Sequence, residues 1–213
     1  MLTLLIITQI LLAYLLGSIP TSVWVGKIFF NTDIRNHGSG NAGATNTLRV
    51  FGWKAGLPVL LFDVFKAWLA VKLPVIFPAI FEGEALVSFQ ILLGVIAVIG
   101  HVFPVFAGFK GGKGVASITG IIIALFPQTF IVILVVFLII VLISGYVSLA
   151  SVTSALVFPF VAALIFKEQY ISLILFSVFV AIVIPVLHLK NIKRLLNGTE
   201  SKIWKSSKVK KQD

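Results

Sequence analysis

Four short stretches of this chain hold polar residues in combinations suited to gripping an anion or moving a proton. In residues 33–49, Gly38, Ser39, Gly40, Asn41 and Gly43 form a run of small and hydrogen-bonding residues, and Asn46 and Arg49 follow, three apart. Glycines let backbone N–H groups come close to an anion, and a helix through Asn46 and Arg49 puts both on one face. Arginine adds a planar donor fork that matches phosphate. A polar interfacial loop with tight turns explains the glycines equally well.

Residues 108–115 read Gly-Phe-Lys-Gly-Gly-Lys-Gly-Val and lead into an apolar stretch. Gly111, Gly112 and Gly114 around Lys113 have the makings of a phosphate cradle, because free N–H groups and the positive dipole end converge at a helix start. The alternative is a flexible loop whose lysines mark the cytoplasmic side. A Walker loop is disfavoured, since Ala107 stands where its first glycine belongs and Gly114 replaces the Mg-binding hydroxyl. Residues 144–151 offer Ser144, Ser148 and Ser151, which on their own read as helix caps or packing hydroxyls. His188 and Asn191 lie three apart at the end of an apolar stretch, where an imidazole can accept or orient a proton, and Gly198 and Glu200 follow. Asp63 and Lys66 are also three apart, inside an apolar stretch. They read first as an ion pair that lowers the cost of burial, with contact to a substrate phosphate as a second role for Lys66. His101, just ahead of Pro104, reads as a helix cap, and Lys72 has no role in this reading.

The elements that must position these residues are membrane helices. The chain has 213 residues, 59% of them hydrophobic and 11% charged, with a mean hydropathy of +1.13. That composition is foreign to soluble domains, and a crossing needs roughly 20 mainly apolar residues. Residues 2–16 lack a basic leader and a small-residue cleavage site, so they read as a retained span and not a signal peptide. Cysteine is absent, which removes disulfides, thiolate metal sites and thiol catalysis. The net charge of +10 sits between apolar stretches and in a lysine-rich tail, pointing to anionic lipids and anionic substrates and away from nucleic acid.

Apolar runs predict an all-α membrane protein, a bundle of seven transmembrane helices near 2–25, 55–80, 85–107, 115–126, 129–143, 149–166 and 170–189. Pro127-Gln128 is read as a tight hairpin between two of them. With that hairpin, every basic residue except Lys66, Lys72 and Lys167 falls on one side, which by the positive-inside rule is cytoplasmic. The N-terminus is then external and the C-terminus cytoplasmic, with Glu82, Glu84, Lys167 and Glu168 in external turns. Residues 115–126 span only about 18 Å at 1.5 Å per residue, so that helix is expected to begin inside the protein interior. The division is a catalytic bundle, 1–189, and a basic cytoplasmic tail, 190–213, whose Ile192, Leu195, Leu196, Ile203 and Trp204 suit the inner leaflet.

Taken together the motifs resemble those of the acyl-phosphate:glycerol-3-phosphate acyltransferases, a family of bacterial membrane enzymes. The resemblance rests on residues 17–21, on 38–46 with Arg49, on Asp63 to Lys66, on Gly100-His101 with Phe103-Pro104, on 111–114, and on His188 with Asn191, in the family's order. It implies a seven-helix fold in the bacterial inner membrane with the site open to the cytoplasm. Acyl phosphate would be the donor and glycerol 3-phosphate the acceptor, giving lysophosphatidic acid and inorganic phosphate. It makes Ser39 and Arg49 site residues, Lys113 and its glycines a phosphate-binding element, His188 and Asn191 catalytic, Ser151 a substrate contact and Glu200 structural.

The required chemistry agrees with the residues present. Both substrates carry phosphate, whose charge Arg49, Lys113, Lys66 and helix N-termini can neutralise. An acyl phosphate is already activated, so attack by a hydroxyl needs alignment and a proton acceptor, either His188 or the leaving phosphate. No metal or cofactor is called for, and the His-x-x-x-x-Asp pattern of other glycerolipid acyltransferases is missing after His37, His101 and His188. A competing expectation is a transporter of a small phosphorylated or anionic solute, since basic residues within a bundle can also line a permeation path.

Overall fold

The computed structural model describes residues 2–77 and 81–203, and every regular element in it is helical. Helix α1 (Leu2–Ser18) is followed after Ile19-Pro20 by α2 (Thr21–Phe30). The first span was expected to run unbroken over 2–25. It is bent by 40° instead, because Pro20 supplies no N–H to the helical ladder. A 3₁₀ turn (Ile34–Asn36) and a short helix α3 (Ala44–Phe51) precede the long α4 (Trp53–Ile76). Then come α5 (Gly83–Val102), a 3₁₀ turn (Val105–Ala107), α6 (Val115–Leu125) and α7 (Pro127–Ser144). Helix α8 (Val147–Phe160) runs into a π-helical turn (Val161–Ile165), and α9 (Ile171–Leu187) is bent by 59° from a last helix, α10 (Leu189–Leu196). The expected end of the second span at Ile80, and Trp204 with the terminal lysines, lie outside the described residues.

Among the described residues, three helices are long and apolar enough to cross a membrane on their own, or up to five if each bent pair is one span. Helix α4 has the length, yet Lys54, Asp63, Lys66 and Lys72 interrupt its apolar face. Helix α6 is apolar but short and packs inside the bundle, with Ile118, Ile121 and Ile122 buried. Pro127 opens α7 at its first position, where its missing N–H costs nothing, so the expected break between α6 and α7 is present. The outer face of α7 carries Leu142 and Ile143, 70% and 83% exposed. An apolar surface of that kind suits lipid tails.

The bundle has two distinguishable ends. At one, Leu125, the 166–170 turn, Val87 and Leu173 line a cavity of about 340 Å³. There Glu84 accepts the N–H of Ser172 at 2.9 Å and so caps the start of α9, and Lys72 donates to the Ala124 carbonyl at 3.3 Å near the end of α6. Lys72, unexplained by sequence, thus meets the negative end of a helix dipole. At the other end lie the Gly108–Gly114 loop, the α7–α8 turn and α10.

Glycines set how closely the helices cross. A Cβ on Gly17 would sit 2.0 Å from the Ala97 carbonyl oxygen, and one on Gly100 2.5 Å from that of Tyr14, so α1 and α5 touch backbone to backbone. A Cβ on Gly120 would lie 2.2 Å from the Val64 carbonyl oxygen on α4. Against α6 on its other side, Phe126, Phe158 and Phe176 interlock, with Phe126 and Phe158 edge to face at 5.0 Å. Helix α6 is therefore wedged between α4 and the aromatic cluster, which fixes the loop at its start. Gly120→Val is expected to cost about 1–3 kcal/mol or more by overpacking, read as a lowered Tm in detergent. Ile143→Ala on the outer face should stay within about 0.5 kcal/mol of the parent.

Candidate active site

The first glycine-rich segment is built around Asn46. Its side-chain oxygen accepts the Ser39 N–H at 2.9 Å, and its amide nitrogen donates to the carbonyls of His37, Asn41 and Ile34 at 3.0, 3.1 and 3.3 Å. A buried loop backbone needs such partners, and one side chain supplies them. Gly38 has φ +59°, and a Cβ there would meet the Asn46 side-chain oxygen at 2.3 Å, so only glycine fits this turn. Asn46 was expected to share a substrate-facing surface with Arg49. Asn46 is buried as the organiser of the loop, while Arg49 reaches toward Ser201. Ser39, Gly40 and Asn41 stay at the mouth, with Ser39 and Gly40 exposed.

This segment is locked to the second glycine loop. Asp33 caps the 3₁₀ turn and accepts from Arg35, whose guanidinium also donates to the carbonyls of Ala107 at 2.8 Å and Lys110 at 3.3 Å. A Cβ on Gly112 would sit 2.8 Å from the Ala42 carbonyl oxygen, so the two loops meet through backbone. Gly111 and Gly112 donate their N–H groups to the carbonyls of Val102 and His101 at 3.0 and 3.2 Å. Gly114, at φ +78°, forms the N-cap of α6. Lys113 is held at the start of that helix with its side chain directed across to α10.

There the cluster closes. The Lys113 ammonium donates to the side-chain oxygen of Asn191. Asn191 in turn donates to Glu200 at 2.6 Å, Ser148 donates to the same carboxylate oxygen at 2.8 Å, and Arg194 donates to the other at 2.6 Å. Arg49 reaches the Ser201 carbonyl at 3.5 Å, and its Nε is buried with no partner among the described residues. Burial works against the Glu200 carboxylate, but the donors Arg194, Asn191 and Ser148 together hold its pKa below the ordinary range. Burial also lowers the Lys113 pKa to about 8, with repulsion from Arg194 and Lys190 adding and Glu200 opposing. The Arg49 pKa falls for the same first reason, again countered by Glu200. At neutral pH the site therefore holds Arg49, Lys113 and Arg194 as cations and Glu200 as an anion.

His188 is buried where α9 turns into α10. Its Nδ1 lies 2.8 Å from the Ile184 carbonyl, which can only accept, so Nδ1 carries the proton and Nε2 keeps its lone pair. Ser151 sits one turn along α8 from Ser148, buried, and donates to the Val147 carbonyl at 2.9 Å. Lys66 stands apart from this cluster. Its ammonium is 2.7 Å from Asp63 and donates to the Ile19 carbonyl at 2.8 Å, and the side chain is 1% exposed. The expected second role of Lys66, contact with a substrate phosphate, is not supported by this geometry, and the ion-pair role is.

Arg194 and Ser148 lie in stretches that stand out in the sequence, but neither was read as a site residue. Arg194 continues the three-residue spacing of His188 and Asn191, which is the signal that would have found it. Ser148 lies one turn before Ser151 and read, like it, as a capping or packing hydroxyl. Glu200, expected to be structural, joins Asn191, Arg194 and Ser148.

A family model described as glycerol-3-phosphate acyltransferase matches residues 7–198. A protein of that name from Macrococcus caseolyticus is 45% identical over 91% of this chain and 95% of its own length. One from Enterococcus faecalis is 42% identical over 97% of both chains. The crystal structure of PlsY (YgiH), an integral membrane glycerol 3-phosphate acyltransferase, in its glycerol 3-phosphate form superposes with a TM-score of 0.80. It shares 34% identity over 92% of this chain and 94% of that one. Its lysophosphatidic acid form gives a TM-score of 0.79 at 32% identity, with the same coverage. The chain belongs to the glycerol-3-phosphate acyltransferase family.

Proposed function

We propose that this protein transfers a fatty acyl group from acyl phosphate to the sn-1 hydroxyl of glycerol 3-phosphate. The products are lysophosphatidic acid and inorganic phosphate, the first step of bacterial phospholipid synthesis. The observation that carries the reading is the junction of Arg49, Lys113 and Asn191, from three separate segments, around the Glu200 carboxylate at one end of a lipid-facing bundle. Two phosphorylated substrates brought together carry several negative charges, and such a cluster at low dielectric stabilises them strongly.

In this mechanism Lys113, the uncapped N–H groups at the start of α6 and Arg49 hold the phosphates, with Ser39, Gly40 and Asn41 at the mouth and Ser151 beneath. The substrate hydroxyl oxygen attacks the acyl carbonyl carbon, an ester C–O bond forms, and the bond to the phosphate oxygen breaks with its electron pair leaving on phosphate. The proton of the hydroxyl passes either to Nε2 of His188 or to the departing phosphate. No step draws on a metal or a cofactor.

The same reading places the chain in the bacterial inner membrane as a seven-span bundle, residues 1–189, with the N-terminus external. The basic cytoplasmic tail, 190–213, supplies Asn191, Arg194 and Glu200 to a site that faces the cytoplasm. Supporting it, α1, α4, α5, α6, α7, α8 and α9 alternate in direction between the two ends of the bundle, and the cations gather at one of them.

The direct test is purified protein in detergent with acyl phosphate and glycerol 3-phosphate. Lysophosphatidic acid and phosphate are expected in equal amounts without any sealed compartment, and folded protein that makes neither sinks the reading. Arg49→Ala and Lys113→Ala should each lower kcat/KM by about 10²–10³. Glutamine at 188 separates the two proton routes: a kcat loss of about 10²–10⁴ assigns the proton to the imidazole, and one below about tenfold assigns it to phosphate. Because Lys113 titrates near 8, its charge is present below that pH and lost above it. KM for glycerol 3-phosphate should therefore rise between pH 7 and 9, by up to about tenfold per unit above 8, and Lys113→Arg should flatten that limb.

A further inference from the structure

We infer that His101, oriented by the buried carboxylate of Asp63, is a positioning residue for the phosphate loop. The inference rests on the acyltransferase reading above and assigns a role to two motifs which that mechanism leaves unused. Asp63 is 1% exposed, and its Oδ1 gathers three groups: the Lys66 ammonium at 2.7 Å, the Thr21 hydroxyl at 3.1 Å and Nδ1 of His101 at 3.6 Å. Lys66 is also tied to the Ile19 carbonyl, so the carboxylate cannot swing away from the imidazole without stranding a buried ammonium. On the α6 side, Ser117 donates to the Asp63 backbone carbonyl at 3.4 Å. Lys66 and Thr21 therefore fix the carboxylate, Ser117 ties its backbone to α6, and the carboxylate faces one edge of the His101 ring.

The opposite edge of the ring faces the glycine loop. A Cβ on Gly112 would lie 2.2 Å from Nε2 of His101, and one on Gly111 1.9 Å from the His101 carbonyl oxygen, which itself accepts the Gly112 N–H. The loop thus rests on His101 through both its backbone and its ring, immediately before Lys113. A loop that must aim Lys113 and the N–H groups at the start of α6 at phosphate within a few tenths of an ångström needs such a support. Without the ring, Gly111 and Gly112 regain conformations that glycine alone can sample, and Lys113 loses its aim at Asn191. Asp63 acts only through the ring, so its effect on phosphate binding disappears once the ring is gone.

The experiment is a double-mutant cycle on purified, folded protein, with KM for glycerol 3-phosphate, kcat, and the Tm increase given by inorganic phosphate as readouts. His101→Ala and Asp63→Asn are each expected to raise KM about tenfold or more and to shrink the phosphate-induced Tm increase, while kcat changes by less than about threefold. The double variant should match His101→Ala alone. Additive effects, or a kcat loss with KM and phosphate protection intact, overturn the inference. Should Asp63→Asn fail to fold because Lys66 is left unpaired, His101→Asn carries the test. Its amide nitrogen stands where Nδ1 stood, so it keeps the Asp63 contact and lacks only the edge against Gly112. The same KM rise is expected there, and a KM equal to that of the parent overturns the inference. If the parent binds phosphate yet makes no lysophosphatidic acid, the acyltransferase reading fails, while the phosphate-protection readout still decides the role of His101.

Discussion

The structure depends on one electrostatic constraint: cations crowded at the end of an apolar bundle must be compensated within the protein until substrate arrives. Two like charges 4 Å apart repel by about 4 kcal/mol at an effective dielectric near 20, and Arg194 lies within the field of both Arg49 and Lys113. Glu200 answers all of them. It takes Arg194 directly and Lys113 through Asn191, and its neighbour Ser201 offers a carbonyl to Arg49. A carboxylate in that position keeps the site from flying apart and keeps Lys113 protonated more than burial alone would allow. It also explains why a tail segment beyond the last span belongs to the catalytic end.

Charge inside the spans is treated differently from charge at the site. Asp63 and Lys66 cancel one another at 2.7 Å with their remaining valence satisfied by Thr21 and Ile19, so they add little field at the loops. The cationic field at the site comes from Arg49, Lys113, Arg194 and Lys190. Packing completes the division. Gly17, Gly100 and Gly120 pull α1, α4, α5 and α6 into backbone contact, and this compact half carries the two glycine loops. The aromatic cluster of Phe126, Phe158 and Phe176 anchors the half that carries Ser148, His188 and α10. The site lies where the halves meet, and each supplies part of it.

The sequence revealed residues whose type is costly in lipid and hid those whose role depends on tertiary partners. Arg49, Lys113, His188 and Asn191 stood out because charge and glycine interrupt apolar runs, and the break at Pro127 stood out because proline suits a helix start. The bend at Pro20 was missed because residues on both sides are apolar and the hydropathy pattern runs straight through. Asn46 also ties together the loop backbone, a role that spacing cannot give, since it shows the face of a helix but not which buried carbonyls lack donors. Lys66 pairs with its neighbour three residues before it, and only the fold shows that the pair is sealed. Arg194, Ser148 and Glu200 come together only when the chain after α9 folds back over α8, which no local pattern records.

The depth of the site follows from the chemistry it must perform. A long-chain acyl phosphate is an amphiphile, so its phosphate has to reach cations while its chain stays in hydrocarbon. A cluster deep in the bundle would strip water from the phosphates at a cost of many kcal/mol, whereas one in the cytoplasm would strand the chain. The glycine loop resolves this by standing beside exposed Phe103, Phe106 and Phe109, whose rings suit the boundary between headgroups and tails. Helix α6 starts at that level and is short because it begins at the site and not at the membrane surface. Its shortness, expected from the sequence, is thus a consequence of where phosphate and acyl chain can be held at the same time.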